Sequence, residues 1–202
     1  MIKLIREIIE RFLIKKLRYN RLKLIDELCN HRILTGNEKI RILEIGCGNG
    51  VDLIKFLNNR DNIELYGIDI DDTGLKQDNF KLIVQDAETI DFPDKFFDFV
   101  ISLGVLEHIQ PIEKLSRVAK EINRVGKNYV INVPAISSII ETHTDTFLWH
   151  LRDPNKKKPY SGRLNFFNDE VWLQFEGFNG AKTLRKKFLS FLLLDLYIYK
   201  SE

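Results

Sequence analysis

Cysteine is nearly absent from this chain of 202 residues, which holds only Cys29 and Cys47. Two cysteines cannot build the disulfide framework on which small secreted domains depend. Neither cysteine has a histidine or a second cysteine at a metal-ligand spacing, so we expect no metal site. The pattern indicates a reduced, cytoplasmic protein.

Long apolar runs are also absent. The longest one, Phe188 to Tyr199, is interrupted by Asp195 and is shorter than the ~20 residues that a spanning helix needs. The amino terminus has a charge every few residues, which does not fit the apolar core of a secretory signal. Both observations again favour the cytoplasm.

The chain as a whole lacks an excess of either charge, because 31 Lys and Arg balance 29 Asp and Glu to a net +2. A nearly neutral protein gives no reason to expect a nucleic-acid partner. The apolar fraction of 44% is ordinary for a globular domain with a substantial core. Along the chain, however, the net charge is +6 for residues 1–41, −7 for residues 42–125 and +3 for residues 126–202.

The amino-terminal block up to about Leu28 has apolar residues at helical spacing and a cationic opposite face. One interpretation is a helix packed on the edge of the main domain, with its cations in water. The other is a basic amphipathic helix that contacts a membrane surface or a partner. We therefore predict a helical extension at residues 1–38 and one domain at residues 39–202.

From Ile40 onward, short apolar runs alternate with helical patterns. Strands are predicted at IRILEI, IELYGIDI, FKLIVQ, FFDFVISL and KNYVINVP, with an amphipathic helix at PIEKLSRVAKEINRV. This alternation is typical of an α/β fold with a mostly parallel sheet and helices on both faces. Ligand sites in such sheets lie at the carboxyl ends of the strands.

A glycine-rich loop follows the first predicted strand, with glycines at Gly46, Gly48 and Gly50. Such a loop lets a ligand approach the backbone and is compatible with a dinucleotide, a nucleoside-type cofactor or a simple tight turn. Its third glycine is one position early for the dinucleotide fingerprint. Glu44 precedes the loop where a pyrophosphate would be repelled, whereas the cationic S-adenosylmethionine would be attracted.

A carboxylate, Asp69, ends the second predicted strand, 23 residues after Gly46. It can accept hydrogen bonds from both hydroxyls of a ribose. Because either cofactor class contains a ribose, Asp69 predicts a nucleoside without choosing between the two classes.

Taken together, the segments ILEIGCGNG, YGIDI and QDAETIDFPDKFFDFVISLGVLEHI resemble the successive motifs of the S-adenosylmethionine-dependent methyltransferases with a Rossmann-like fold. The resemblance covers roughly Ile40 to Pro134, about half of the chain. It implies a seven-stranded sheet in the order 3-2-1-4-5-7-6 with the seventh strand antiparallel. It also implies that the late segment NFFNDEVWLQFEGF is a helix, followed by the last two strands. The chain departs from the family in lacking the usual Pro-Gly-Gly before the fifth strand.

The resemblance also implies a role for each matching residue. Glu44 would help to hold the methionyl ammonium, Asp69 the ribose and Asp86 the adenine amino group. The adenine ring would pack on Ile70 and Ala87, and Leu103 would line the methionine side. The remaining predicted cofactor-binding residues form the glycine loop: Gly46, Cys47, Gly48, Asn49 and Gly50.

Transfer of a methyl group to oxygen or nitrogen can require a general base, and histidine suits that role. His108, just after the fourth predicted strand, is the predicted catalytic residue. His143, His150 and Tyr160 lie in the segment after the fifth strand and are predicted to contact the substrate, although a surface role is compatible with both histidines.

We expect a methyltransferase acting on a small molecule. Two alternatives remain open from the sequence: a membrane-associated methyltransferase of lipid or quinone intermediates, and a cofactor-binding partner protein without catalysis. The oligomeric state is not predicted.

Overall fold

The computed structural model describes residues 19–48, 60–72, 80–138, 164–188 and 193–201, together with residues 53, 57, 74, 140–141 and 146–147. Three parts of the chain lie largely outside these residues. They are the amino terminus up to residue 18, the stretch after the glycine loop and the segment after the fifth strand.

A seven-stranded sheet forms the centre of the molecule, in the order β3-β2-β1-β4-β5-β9-β8. Strands β1 to β5 are parallel, whereas β9 runs antiparallel to both β5 and β8. This confirms the predicted α/β fold and its strand order. The strands are β1 (Ile40–Ile45), β2 (Ile63–Asp69), β3 (Phe80–Val84), β4 (Phe97–Leu103), β5 (Gly126–Pro134), β8 (Lys182–Phe188) and β9 (Leu193–Lys200).

A separate pair of two-residue strands, β6 (Ile140–Glu141) and β7 (Thr146–Phe147), follows β5 and is antiparallel. The sequence analysis did not predict this pair. Two-residue strands are too short to show the alternation of apolar and polar residues by which strands are recognised.

The helix α1 (Ile112–Val125) begins after Pro111 and leads directly into β5. Its fully buried residues recur every three or four positions, so one side of the helix packs on the sheet: Leu115, Val118, Ala119, Ile122 and Val125. The short helix α2 (Asp169–Leu173) lies within the predicted late segment and begins after Asn168, whose side chain accepts a hydrogen bond from the Val171 backbone N–H.

Two hydrophobic clusters cover the two faces of the sheet. The first joins α1, α2 and the 3-10 helix Glu176–Phe178 to one face, with Trp172 and Phe178 fully buried. The second joins the opposite face to the amino-terminal region, where residues 19–28 are helical and Leu22 and Ile25 are buried. The described part of the amino-terminal block therefore packs on the sheet.

An ion pair fixes that amino-terminal helix to the sheet. The Arg21 guanidinium lies 2.8–2.9 Å from the buried carboxylate of Asp195 on β9. Burial raises the pKa of Asp195, and the charge of Arg21 opposes that rise. Within the described residues, no helix has the length and apolar character needed to cross a membrane.

We predict that Gly177→Ala strongly destabilises the fold. A methyl group at this position would lie 2.0 Å from the Ala119 carbonyl oxygen of α1, so the helix would have to move away from its neighbour. Forced overpacking of this kind costs about 1–3 kcal/mol, measurable as a lower free energy of unfolding in urea. Glu176→Ala removes an exposed side chain next to it and is the matched control. Equal stability of the two variants would contradict the packing described here.

Candidate active site

A cleft of about 340 Å³ opens where the carboxyl ends of β1, β2 and β4 meet. This is the edge at which open parallel sheets place their ligands. The cleft also receives the loop after β3 and the start of α1. Its lining consists of Ile45, Gly46, Ile68, Asp69, Ile70, Gln85, Asp86, Ala87, Gly104, Val105, His108, Ile109, Gln110 and Lys114.

The glycine loop turns sharply below this cleft. Gly46 and Gly48 both have positive φ angles, 71° and 48°, which side chains on L-residues disfavour. A Cβ on Gly46 would lie 2.4 Å from a methyl group of Val105. At Gly48, by contrast, the position of a Cβ has no atom within 4 Å among those described, so the backbone is accessible to a ligand. Asn49 and Gly50 lie outside the described residues.

Asp69 connects this loop to the end of β2. Its Oδ2 accepts a hydrogen bond from the Gly48 N–H at 2.8 Å, and its Oδ1 accepts one from the Asp71 N–H at 3.1 Å. Each carboxylate oxygen can accept a further bond. Asp69 is thus held in the cleft as an acceptor, with capacity left for the hydroxyls of a ribose.

An apolar slot lies beside Asp69. The side chain of Ile70 is 69% exposed and lines the cleft, so a ligand can reach it. Ile70 shares the cleft with the apolar side chains of Ala87, Val105 and Ile109. These four residues can bracket a flat ring such as adenine.

Asp86 lies in the same cleft and is paired with α1. Its Oδ2 is 2.5 Å from the Lys114 ammonium, and its Oδ1 accepts a hydrogen bond from the Glu88 N–H at 3.0 Å. Burial opposes ionisation of Asp86, but these two hydrogen bonds outweigh it and lower the pKa of Asp86. At neutral pH the carboxylate is therefore a pure acceptor.

The field around the glycine loop is negative. Glu44 is buried on β1, two residues before Gly46, and it is not part of the cleft lining. Burial, followed by the charges of Glu44 and Asp69, raises the pKa of the Cys47 thiol to about 12. Carboxylates that disfavour a thiolate here also disfavour a pyrophosphate and favour a cationic ligand.

His108 also lines the cleft, and it belongs to the 3-10 helix Leu106–His108. Its side chain is 47% exposed, and its Nε2 lies 4.0 Å from Oε1 of the buried Glu107. Asn165 holds this turn, since its side-chain amide donates to the carbonyl oxygens of Leu106 and Ile109. The histidine is therefore both fixed in place and accessible to a substrate.

Of the predicted cofactor-binding residues, the structure brings Gly46, Asp69, Ile70, Asp86 and Ala87 together in the cleft lining. Leu103 ends β4 and packs against the cluster on the amino-terminal side, while the next two residues line the cleft. Cys47 is buried in that same cluster, so it contributes backbone to the loop. His143, His150 and Tyr160 lie outside the described residues, and their contact with substrate stays a prediction.

The sequence analysis missed Gln85, Gln110 and Lys114, which also line the cleft. Lys114 belongs to the polar side of an amphipathic helix, where a lysine ordinarily indicates contact with water. The available signal was its position in the first turn of that helix, three residues after Pro111. Among the residues described, no cluster of three or more potential metal ligands occurs.

Comparison with known proteins agrees with this geometry. The sequence model of a family described as a methyltransferase domain matches residues 43–130. A carboxy-S-adenosyl-L-methionine synthase from Campylobacter hominis is 30% identical over 102 residues, which cover 46% of this chain and 43% of that protein. The chain thus matches less than half the length of this curated relative.

Solved structures share the fold. A SAM-dependent methyltransferase from Methanosarcina mazei is 21% identical, with a TM-score of 0.56 over 85% of this chain and 95% of that one. Another from Aquifex aeolicus is 14% identical, with a TM-score of 0.57 over 88% and 87%. At these identities the likeness extends to the fold, not to the substrate.

We predict that Cys47 resists thiol reagents in the folded protein. Because its pKa is raised to about 12, the thiolate fraction should still be rising tenfold per pH unit between pH 8 and 9, where a free cysteine is already half ionised. The dependence is measured as the rate of reaction of Cys47 with a disulfide reagent at each pH, by stopped flow, on a Cys29→Ala variant. The same variant unfolded in urea is the control. A native rate that levels off near pH 8.5 would contradict the buried, negative environment.

Proposed function

From the premise that the chain carries an S-adenosylmethionine-dependent methyltransferase domain, we propose that it transfers the methyl group to an oxygen or nitrogen atom of a small molecule. The observation that carries this proposal is the convergence of Asp69, Ile70, Asp86 and His108 on one cleft. Three of these residues suit a nucleoside, and the fourth is a candidate base in the same cleft.

The residues present fit this cofactor. Asp69 offers acceptors for the ribose hydroxyls, and Ile70 with Ala87 offers an apolar surface for the adenine ring. Asp86 offers an acceptor for the adenine amino group. The buried Glu44, two residues before Gly46, suits a ligand with positive charge and no phosphate.

The bound cofactor supplies an electrophilic methyl group on a sulfonium. The chain itself has to hold the acceptor atom on the methyl axis, exclude water and remove a proton where the acceptor carries one. His108 is placed for the last task, because its exposed ring borders the cleft. The neighbouring carboxylate of Glu107, 4.0 Å away, would stabilise the imidazolium that forms.

The cleft volume of about 340 Å³ lies in the range of small-ligand pockets, about 300–1,000 Å³, which suits the cofactor. For the acceptor, the support for a small molecule comes from charge. The near-neutral charge of the chain gives no electrostatic basis for holding a nucleic acid.

Binding of the cofactor is tested first, with Asp69→Ala. We expect micromolar binding of S-adenosylhomocysteine by the original chain in calorimetry, and none of NAD. Loss of a charged acceptor costs about 1.5–3 kcal/mol, so the variant should bind at least about tenfold more weakly. Asp71→Ala, which changes an exposed carboxylate two residues away, should bind normally. Equal affinity of both variants would contradict the role of Asp69.

The acceptor class is tested with methyl-labelled S-adenosylmethionine. The enzyme is incubated separately with the metabolite, protein and RNA fractions of its expression host, and with anionic vesicles containing extracted lipids and quinones. We expect label in the metabolites. Label confined to protein, RNA or lipid would contradict the proposal. The mass of the nucleoside product is measured as well, because carboxy-S-adenosylmethionine would indicate the activity named for the Campylobacter hominis relative.

Once an acceptor is found, His108→Gln tests the base. Removing a general base lowers kcat by about 10²–10⁴-fold, while binding of S-adenosylhomocysteine should change little. His31→Gln is the matched control, since this histidine lies in the amino-terminal region beside Asp26. A His108→Gln variant with normal kcat would show that the acceptor needs no base from this position.

A further inference from the structure

A stripe of charged residues runs along one side of α1, facing the segment that follows β3. Lys114, Arg117, Glu121 and Arg124 are spaced by three, four and three positions, so they share one side of the helix. Along the whole length of the helix, the side chains on this side form ion pairs and hydrogen bonds with the segment after β3.

The stripe holds the segment from Asp86 to Asp94 against the helix. Arg117 pairs with Glu88 at 2.5 Å, and Glu121 accepts a hydrogen bond from the Ile90 N–H at 2.8 Å. Farther along, Arg124 donates to the carbonyl oxygens of Ile90 and Phe92, both at 2.7 Å. The segment that forms one wall of the cleft is therefore fixed by side chains of a single helix.

Within this stripe, Lys114 lines the cleft. Its partner Asp86 lines the cleft as well. Both side chains are partly exposed, by 28% and 43%, so a ligand can reach them. With Oδ1 bonded to the Glu88 N–H and Oδ2 to Lys114, the carboxylate cannot rotate freely. Each oxygen still has a lone pair for a further donor.

We propose that Lys114 is a positioning residue for nucleobase recognition, holding Asp86 as an oriented acceptor for the exocyclic amino group of adenine. This inference rests on the proposed function, since it assumes that the cleft binds S-adenosylmethionine. Lys114 acts through Asp86, so its contribution should depend on a ligand that carries the amino group.

The test compares two ligands. One is S-adenosylhomocysteine, and the other is its analogue in which hydrogen replaces the 6-amino group of the purine. We expect Lys114→Met to weaken binding of S-adenosylhomocysteine by about tenfold, and to leave binding of the analogue unchanged within twofold. Equal weakening of both ligands, or no weakening of either, would overturn the proposal.

Three further variants show whether Lys114 positions Asp86 or only stabilises the segment from Asp86 to Asp94. Lys114→Arg keeps a cation at the position and should restore most of the discrimination between the two ligands. Arg117→Met removes the neighbouring ion pair with Glu88 but not the one with Asp86, and should leave the discrimination intact. Adding Lys114→Met to Asp86→Ala should have no further effect on binding, because the group that Lys114 positions is already gone.

Binding by the unaltered chain separates a failure of the proposed function from a failure of the role of Lys114. If it binds neither ligand, the proposed function itself is wrong. If it binds S-adenosylhomocysteine and Lys114→Met binds it equally well, only the role of Lys114 is wrong. Thermal unfolding of each variant without ligand shows whether the fold is kept, so that a loss of affinity is assigned to the cleft.

Discussion

The hydrogen bond from the Gly48 N–H to Asp69 Oδ2, at 2.8 Å, is the contact on which the described site depends most. Within the described part of the glycine loop, the other hydrogen bonds to β2 run from the Gly46 and Cys47 N–H groups to the Ile68 carbonyl oxygen. Asp69 extends this attachment by one residue, to Gly48. Because the same carboxylate borders the cleft, one side chain both shapes the loop and presents acceptors to a ligand.

The charges around the glycine loop then favour some classes of ligand over others. Burial, followed by the charges of Glu44 and Asp69, raises the pKa of the Cys47 thiol, so a further negative charge is disfavoured near the glycines. Asp86 differs, because Lys114 pairs with it. The surroundings are thus negative at the glycines and balanced at Lys114. A molecule with a cationic amino-acid portion and an uncharged base matches that division, whereas a dinucleotide does not.

Much of this arrangement was predictable from the sequence, for identifiable reasons. Asp69 ends β2, Ile70 comes next and Asp86 follows β3. Because the carboxyl ends of parallel strands share one edge of the sheet, the convergence of these residues follows from the fold. The order of the strands came from the resemblance to a family, since apolar patterns alone do not specify strand neighbours. Lys114 was missed because a lysine on the polar side of a helix looks solvent-exposed, and its partner lies 28 residues away. Leu103 ends β4 as predicted but packs on the amino-terminal side of the sheet, whereas Val105, two residues farther on, lines the cleft.

The two sides of the candidate active site are held in place by different kinds of contact. The cofactor side is formed by short loops that leave parallel strands, where backbone geometry allows little variation. The side that carries His108 is instead held by Asn165. Its N–H donates to the Glu107 carbonyl oxygen at 2.7 Å, and its Oδ1 accepts from Gln110 at 2.5 Å. The turn with His108 and the glycine loop are therefore held by separate contacts, so one side of the cleft can change while the other keeps its position, which is how one fold can serve many ligands.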